Sequence, residues 1–424
     1  MTRGLFGVLL LAWGCGDSAR LKPVDVRQPE VTDPSPLPPD AGEGLVELEV
    51  PDAGAGAADA GSPDAGAPDA GTSLPPAELS NLAAGALFSC ALSQGNVYCW
   101  GKNDKGQLGI GNSFNTAVPA KVLNVNDAIA VSAGQDHACA LGANGRIWCW
   151  GANDLGQLGR GTQTAHEPPD FVPGLLGIRQ VSVGEQGHTC ALTTLGQVAC
   201  WGRGLGNSGA ASMVPQPKSG LAGVKSISVG DHHVCVVTSA DQAWCWGGNS
   251  AGALGDGTKL DRQTPGAANG LPPVKQVVAA NGYSCAVDLA NAVWCWGRGE
   301  SGQLGVNTDP EVLQPRLVAG ASGDQVIASK GLHTCLRSTS GSVGCFGSNA
   351  VGQLGNGTSG LSPELAPVAT GITDAVAGSA GAFHTCVRRA TGAVSCWGIN
   401  SDGQLGDGHS GTLSMNAVDV VGLP

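Results

Sequence analysis

The chain has 424 residues, a formal net charge of −12, 68 glycines, 15 cysteines and only 13% charged side chains. Residues 1–78 hold 13 acidic and four basic side chains, so the acidity sits in this segment and the remainder is nearly neutral. No cluster of Lys or Arg could neutralise a phosphate backbone, which argues against nucleic-acid binding by charge, and no apolar run approaches the roughly 20 residues of a spanning helix.

The first residues read as an export signal. Arg3 supplies a positive charge, Gly4 to Ala12 form a short apolar stretch, and Trp13-Gly14-Cys15 follows. An apolar run this short is a signal-peptide core. Gly14-Cys15 resembles the lipobox of bacterial lipoproteins, in which a Cys after a small residue is lipidated and becomes the new N-terminus. Ala12 and Trp13 depart from that pattern, and an ordinary signal peptide cut elsewhere, or a spare thiol, are the other readings of Cys15. Residues 16–78 are rich in Pro, Ala, Gly and Asp, with Pro-Asp-Ala-Gly at Pro39, Pro51, Pro63 and Pro68. Such a segment has too little apolar surface to offset its ordering entropy and is expected to be a disordered tether. As a flexible coil it would span on the order of 45 Å.

From residue 79 to 424 the sequence repeats. The unit is plainest around Cys139, where Gly-Gln-Asp-His-Ala-Cys-Ala-Leu is followed by a turn and then by Ile-Trp-Cys-Trp-Gly-Ala-Asn-Asp-Leu-Gly-Gln-Leu-Gly. Seven units of about 50 residues indicate propeller blades, which bury their faces only against neighbours. The fold expected is all-β: a seven-bladed β-propeller with about four antiparallel strands per blade. The runs Val118 to Val125 and Ala417 to Val421 supply further strands.

The cysteines set the hairpin register. In the second unit a turn at Ala143-Asn144-Gly145 places Cys139 opposite Cys149 and Leu141 opposite Ile147. In the first, a two-residue Gln94-Gly95 turn places Cys90 opposite Cys99. Opposed side chains stand close enough to bridge. The expected disulfides are Cys90–Cys99, Cys139–Cys149, Cys190–Cys200, Cys235–Cys245, Cys285–Cys295, Cys335–Cys345 and Cys386–Cys396, leaving only Cys15. Metal binding is the rival, but these spacings lack any CxxC and do not resemble a zinc site. Disulfides place the chain outside a reducing cytoplasm. Alternation turns Ala138, Ala140, Trp148 and Trp150 away from the disulfide, as it does Val234, Val236, Trp244 and Trp246. Small residues beside large rings suit blade-to-blade packing, and a sugar-binding Trp stripe is the alternative.

His188-Thr189-Cys190-Ala191-Leu192, Val97-Tyr98-Cys99-Trp100-Gly101 and Gly106-Gln107-Leu108-Gly109 resemble the repeat of the regulator of chromosome condensation family. Gly-Gln-Leu-Gly recurs at Gly156, Gly302, Gly352 and Gly403, with Gly252-Ala253-Leu254-Gly255 as a variant. The third unit lacks it, reading Gly202-Arg203-Gly204-Leu205-Gly206, and the sixth has Phe346 where Trp is usual. The resemblance covers essentially all of 79–424 and implies a seven-bladed propeller. It implies no particular function. The eukaryotic founder exchanges guanine nucleotide on a small GTPase through loops that the repeat does not specify, so no functional residue carries over. A bacterial member that inhibits β-lactamases shows that such a propeller can be a binding protein.

Candidate sites are few. His137, His188, His233, His333 and His384 stand two residues before the first Cys of their units, with Phe88 and Tyr283 in the other two. They could gather a metal at an axis, but the aromatic replacements suit a structural role, so no metal ligand is expected. Asp256 with Asp261 suggests calcium, and Asp407-Gly408-His409 forms a similar turn; a Gly-rich turn held by Asx hydrogen bonds is the expected role. No nucleophile elbow, HExxH, phosphate loop or dinucleotide fingerprint occurs, so neither a catalytic residue nor a cofactor is expected. The reading is an exported, lipid-anchored, monomeric scaffold of the outer membrane or cell surface of a Gram-negative bacterium, with the periplasm as the other location. It would touch the membrane only through its N-terminal lipid and bind an unidentified protein partner through propeller-face loops. An enzyme acting on cell-wall or extracellular glycans, which would need carboxylates converging at the central opening, is the alternative.

Overall fold

The computed structural model describes residues 81–204, 211–306, 310–328, 330–367 and 372–424. The export signal, Cys15 and the segment 16–78 lie outside them. The described residues form 28 strands in seven four-stranded antiparallel sheets, each built from four consecutive strands. No helix occurs among them. In the second blade the strands run, from the inside outward, Ala128–Ala133, His137–Gly142, Ile147–Asn153 and Thr164–Phe171. The two middle strands are buried on both faces, whereas the outermost is mostly exposed, because the middle strands have blades packed on either side. Each inner strand packs on the inner strand of the next blade, and the last on the first, which closes the ring.

The hairpin register is the one the cysteines require. Cys139 pairs with Cys149 and Leu141 with Ile147, while Gln94 and Gly95, both at positive φ, make the tight turn between Ser93 and Asn96. All seven disulfides are formed between directly opposed residues, with Cα atoms 4.0 to 4.2 Å apart. Residues Val118 and Ala417 fall in outer strands, but the first of these ends at Lys121 and the last at Asp419. Val122 and Val125 lie beyond the strand and are buried.

The repeated motifs turn out to be parts of one inter-blade lock. The main-chain carbonyl of Gln157, in Gly-Gln-Leu-Gly of blade 2, accepts hydrogen bonds from Trp201 Nε1 at 2.9 Å and Thr189 Oγ1 at 3.0 Å, both in blade 3. Gly159, the last residue of the motif, lies flat on the Trp201 ring; a Cβ there would stand 2.6 Å from Nε1. Since the Thr189 hydroxyl donates to Gln157, its oxygen accepts from His137 Nε2 of blade 2, 3.0 Å away. Ser284 and Trp296 lock to Ala253 in the same way, Thr385 and Trp397 to Gln353, and Ser89 and Trp100 to Gln404 across the closure between blades 7 and 1. His233, His333 and His384 supply the matching imidazoles. Tyr283 does so between blades 5 and 6, where Phe346 replaces the Trp and only Thr334 reaches Gln303. Between blades 1 and 2 Phe88 faces Ala138, neither can hydrogen-bond through its side chain, and Trp150 alone reaches Gln107. Thus an aromatic or imidazole side chain and a hydroxyl or methyl group vary together at every interface except that between blades 3 and 4, where Val234 takes the hydroxyl position.

This covariation sets up a double-mutant test. Thr189→Ala leaves the buried His137 N–H without an acceptor and should cost about 1–3 kcal/mol. His137→Phe with Thr189→Ala copies the Phe88 and Ala138 pair, so the double variant should be more stable than the sum of the singles by about 1 kcal/mol. Thermal unfolding of the four proteins checks this, and strict additivity would contradict the lock.

Candidate functional site

Antiparallel order puts the loop after each inner strand and the long loop carrying Gly-Gln-Leu-Gly at the same end of the blade. At that end the ring is drawn tight by a collar of close backbone contacts. A Cβ on Gly134 would stand 2.5 Å from the Gly184 carbonyl oxygen, and one on Gly381 2.2 Å from that of Gly85. The same position is Gly85, Gly184 and Gly230 in three further blades and Ala280 in the fifth. In the sixth it is Lys330, so a long basic side chain stands in a collar where the other blades carry only Gly or Ala.

Residues just after the collar in six of the seven blades form the rim of an axial cavity of about 370 Å³. Blades 2, 3 and 5 line it with Gln135, Asp136, Glu185 and Asn281, whereas blades 6, 7 and 1 line it with Leu332, Phe383 and Leu87 together with Lys102, Lys330 and Ser348. Asp231 holds in blade 4 the position that Glu185 holds in blade 3. Glu185 Oε1 is wholly buried and accepts no hydrogen bond from the described residues, and the same is true of Asp231 Oδ1. Burial raises the pKa of Glu185, and repulsion from Asp231 and Asp136 adds to the effect while the facing Lys330 opposes it. Burial likewise lowers Lys330 and Glu185 opposes that shift. Asp136 and Asp231 are also pushed up by burial. Buried carboxyl groups with shifted titration, gathered in a concave opening, are the features by which a binding or reacting site is recognised.

The other candidates are structural. His137, His233, His333 and His384 are dispersed one to a blade interface, and burial lowers each to a pKa of about 3, so they remain neutral hydrogen-bonding groups. His188 instead donates from Nδ1 to the Arg203 carbonyl at 2.5 Å. Among the described residues no three His, Cys, Asp or Glu side chains form a metal cluster. Asp256 Oδ1 accepts from Thr258 N at 2.9 Å and Asp261 Oδ1 from Asn249 N at 2.8 Å, while Asp407 Oδ1 accepts from His409 N at 3.1 Å. The Asp256 and Asp407 contacts are Asx-type turns, and the Asp261 contact ties together the two ends of the same long loop. Asn103, Asn153, Asn249, Asn349 and Asn400, which the sequence reading passed over, organise the same loops from inside: each side-chain oxygen accepts from the Leu N–H of the following motif. The trace of the mouth was present as well, since lining up the seven units shows Lys330 standing where the others carry Gly or Ala.

A smaller cavity, about 190 Å³, opens between blades 3 and 4 where the motif is missing. Trp246 Nε1, wholly buried there, has no partner among the described residues, and Lys218 Nζ lies 5.6 Å from the Trp246 ring centroid.

Glu185 makes the mouth testable by pH. Its folded-state pKa is raised from 4.5 to about 8, so the native state favours the protonated acid, and stability present at low pH is lost as pH rises through that window. Glu185→Gln should therefore gain thermal stability relative to the parent steadily between about pH 5 and about pH 8. A difference independent of pH would show that Glu185 titrates normally.

Family models for the regulator of chromosome condensation (RCC1) repeat match residues 94–141, 144–192, 241–287 and 291–330, and a second model of the same repeat matches 80–107, 128–157, 178–209, 224–253 and 375–404. The ultraviolet-B receptor UVR8 of Arabidopsis thaliana is 30% identical over 205 residues, 45% of this chain and 46% of that protein. The ubiquitin-protein ligase HERC2 of Mus musculus is 31% identical over 209 residues, 46% of this chain but 4% of that protein. The chain thus spans less than half the length of these relatives. Among solved structures, yeast RCC1 (Prp20) bound to Kap60 superposes with a TM-score of 0.69 at 19% identity, covering 81% of this chain and 85% of that one. Human WBSCR16 gives 0.67 at 22% identity, covering 78% and 95%. With models of its repeat matching more than half of the residues, the chain belongs to the RCC1 repeat family.

Proposed function

We propose that this protein is exported, anchored to the cell envelope by a lipid on Cys15, and presents its propeller as a protein-binding platform. One observation carries the platform reading. The scaffold columns repeat from blade to blade, whereas the first rim residue after the collar takes six identities in seven blades, Ala86, Gln135, Glu185, Asp231, Asn281, Gly331 and Ala382. A rigid ring that displays seven different loops at one mouth is suited to recognising one shape, and recognition residues concentrate on loops held by such scaffolds. Yeast RCC1 has been crystallised with Kap60, and Prp20p of Saccharomyces cerevisiae has been studied for binding to Gsp1p and histones. These are precedents for the architecture, not partners of this chain. Seven disulfides support an oxidising compartment, and Cys15 is the single cysteine outside those pairs.

A second reading is favoured by Asp136 and Glu185 at the axial opening, where carboxyl groups of raised pKa could act as acid and base on a glycan. Hydrolysis of cell-wall or extracellular glycans by the purified protein, lost in Glu185→Gln, would select it.

The anchored platform has a direct test. In a bacterial host Cys15→Ser should abolish incorporation of labelled fatty acid and shift the protein from the membrane to the soluble fraction. Crosslinking of the parent in envelope extracts should recover one reproducible protein partner. Unchanged membrane association in the variant would contradict the anchor, and no specific partner would contradict the platform.

A further inference from the structure

In six blades the disulfide is sealed by the leucine of the Gly-Gln-Leu-Gly motif or its variant. Leu108, Leu158, Leu254, Leu304, Leu354 and Leu405 are each fully buried in one apolar cluster with both half-cystines of their own blade, and those cysteines are fully buried too. The third blade lacks the motif. Its cluster holds Cys190 and an only partly buried Cys200, with no motif leucine among the described residues. Cys190 and Cys200 both line the cavity between blades 3 and 4, where Cys200 pairs with Gln216 of a largely exposed outer strand. We propose that the Cys190–Cys200 disulfide is a thiol-exchange site, at which a small anionic thiol enters this cavity, attacks Cys200 and forms a mixed disulfide there.

Access and charge both favour this reaction. Exchange requires a thiolate to reach a sulfur, and full burial denies that approach to the other six disulfides. The charged side chains lining the cavity are Arg203 and Lys218, and no carboxyl group lines it among the described residues. Lys218 is the better placed of the two. Its Nζ donates to the Gln263 carbonyl oxygen and stands 5.6 Å from the Trp246 ring centroid, and both partners belong to the cavity wall. Arg203 turns its guanidinium to Gln186 Oε1, 2.8 Å away; Asp231, which also feels Arg203, does not line the cavity. His188 is neutral, its pKa lowered by burial to about 4. Trp246 Nε1 is a buried donor without an acceptor, and beside the Lys218 ammonium it suits the anionic head of a small molecule. A volume of about 190 Å³ falls below the range of about 300 to about 1,000 Å³ usual for ligand sites, so it admits a thiol of a few heavy atoms and no protein loop.

The step needs no oxidant or reductant besides the thiol. The thiol loses its proton to water, and its sulfur attacks Cys200 Sγ and forms the new S–S bond. The Cys190–Cys200 bond breaks with its electron pair on Cys190 Sγ, which leaves as a thiolate and takes a proton from water. A second thiolate attacking the mixed disulfide releases Cys200 as a thiol and departs as the small-molecule disulfide, so two thiols are oxidised as the protein disulfide is reduced. The Lys218 ammonium stabilises the incoming thiolate and the leaving one alike. This site is separate from the axial mouth and independent of the platform reading.

The experiment exposes the purified full chain to 2-mercaptoethanesulfonate or to cysteamine, an anionic and a cationic thiol, at equal thiolate concentration. Acid quenching, alkylation and peptide mass spectrometry then read each cysteine separately, Cys15 included. Cys190–Cys200 should open more than about tenfold faster than any other disulfide, with the first mixed disulfide on Cys200. The anionic thiol should outpace the cationic one several-fold; Lys218→Gln should remove that preference and Lys218→Glu should reverse it. Misfolding cannot produce a reversal, because unfolding exposes every disulfide to both thiols alike. Uniform opening of all seven disulfides, opening led by another disulfide, or first attack on Cys190 would overturn the site. Selective opening indifferent to thiol charge and to both substitutions would assign it to local unfolding of blade 3 and overturn exchange within the cavity.

Discussion

One carbonyl oxygen at each of six blade interfaces organises the described residues of this molecule. Gln157 O accepts from a hydroxyl 32 residues later and from an indole N–H 44 residues later, both in the next blade. A β-sheet blade has no reason of its own to stay beside its neighbour beyond the burial of its faces, and burial is non-directional. The shared acceptor adds direction. It specifies which face, which depth and which rotation, because an indole ring must lie on the terminal glycine of the motif while its N–H points at the carbonyl. The same contact repeated around the ring joins blade 7 to blade 1 through Ser89, Trp100 and His384. Closure needs no strand exchange, since each sheet is made of four consecutive strands.

At the interface between blades 3 and 4 the described residues do not form the lock. Among the described residues Trp246 keeps its place without an acceptor, and Val234 stands where five of the other blades carry Ser or Thr and blade 2 carries Ala138. Inner-strand contacts persist there: Gln180 exchanges two hydrogen bonds with the Ile227 main chain, and Val229 N donates to Ser182 Oγ. Similar serine contacts join blades 2 and 3, 4 and 5, and 7 and 1. The ring is therefore held near its axis everywhere and at its long-loop end only where the motif survives. The third disulfide lies against this gap, and Cys200 is the one paired cysteine that is not fully buried.

Much of this was legible beforehand for a physical reason. Period, turn length and cysteine spacing are properties of single hairpins, and a hairpin is a local object whose register follows from its own residues. That is why Cys139 opposite Cys149 and the Gln94-Gly95 turn could be read directly. The role of the histidines was only half visible, because the acceptor of His137 lies in another blade, and Phe88 reads as a puzzle until Ala138 is seen across from it. The mouth was less legible still. Asp136, Glu185, Asp231 and Lys330 are scattered over nearly 200 residues in loops of unremarkable composition, and only ring closure brings them to one opening. Their burial, and hence their shifted titration, is a product of the collar and not of any local motif. The N-terminal signal, Cys15 and the tether rest on sequence alone.

A scaffold fixed by repeated contacts leaves its loop residues free to differ, and in this propeller the difference is concentrated at the axial mouth. That division depends on the lock being what holds the ring at its long-loop end. Native-state hydrogen exchange resolved by blade measures it most directly. The account predicts that the indole and main-chain amides at the blade 3–4 interface open at the lowest free energy, with the four interfaces carrying both donors opening last and the 7–1 closure among them. Equal protection around the ring, or first opening at the 7–1 closure, would contradict it.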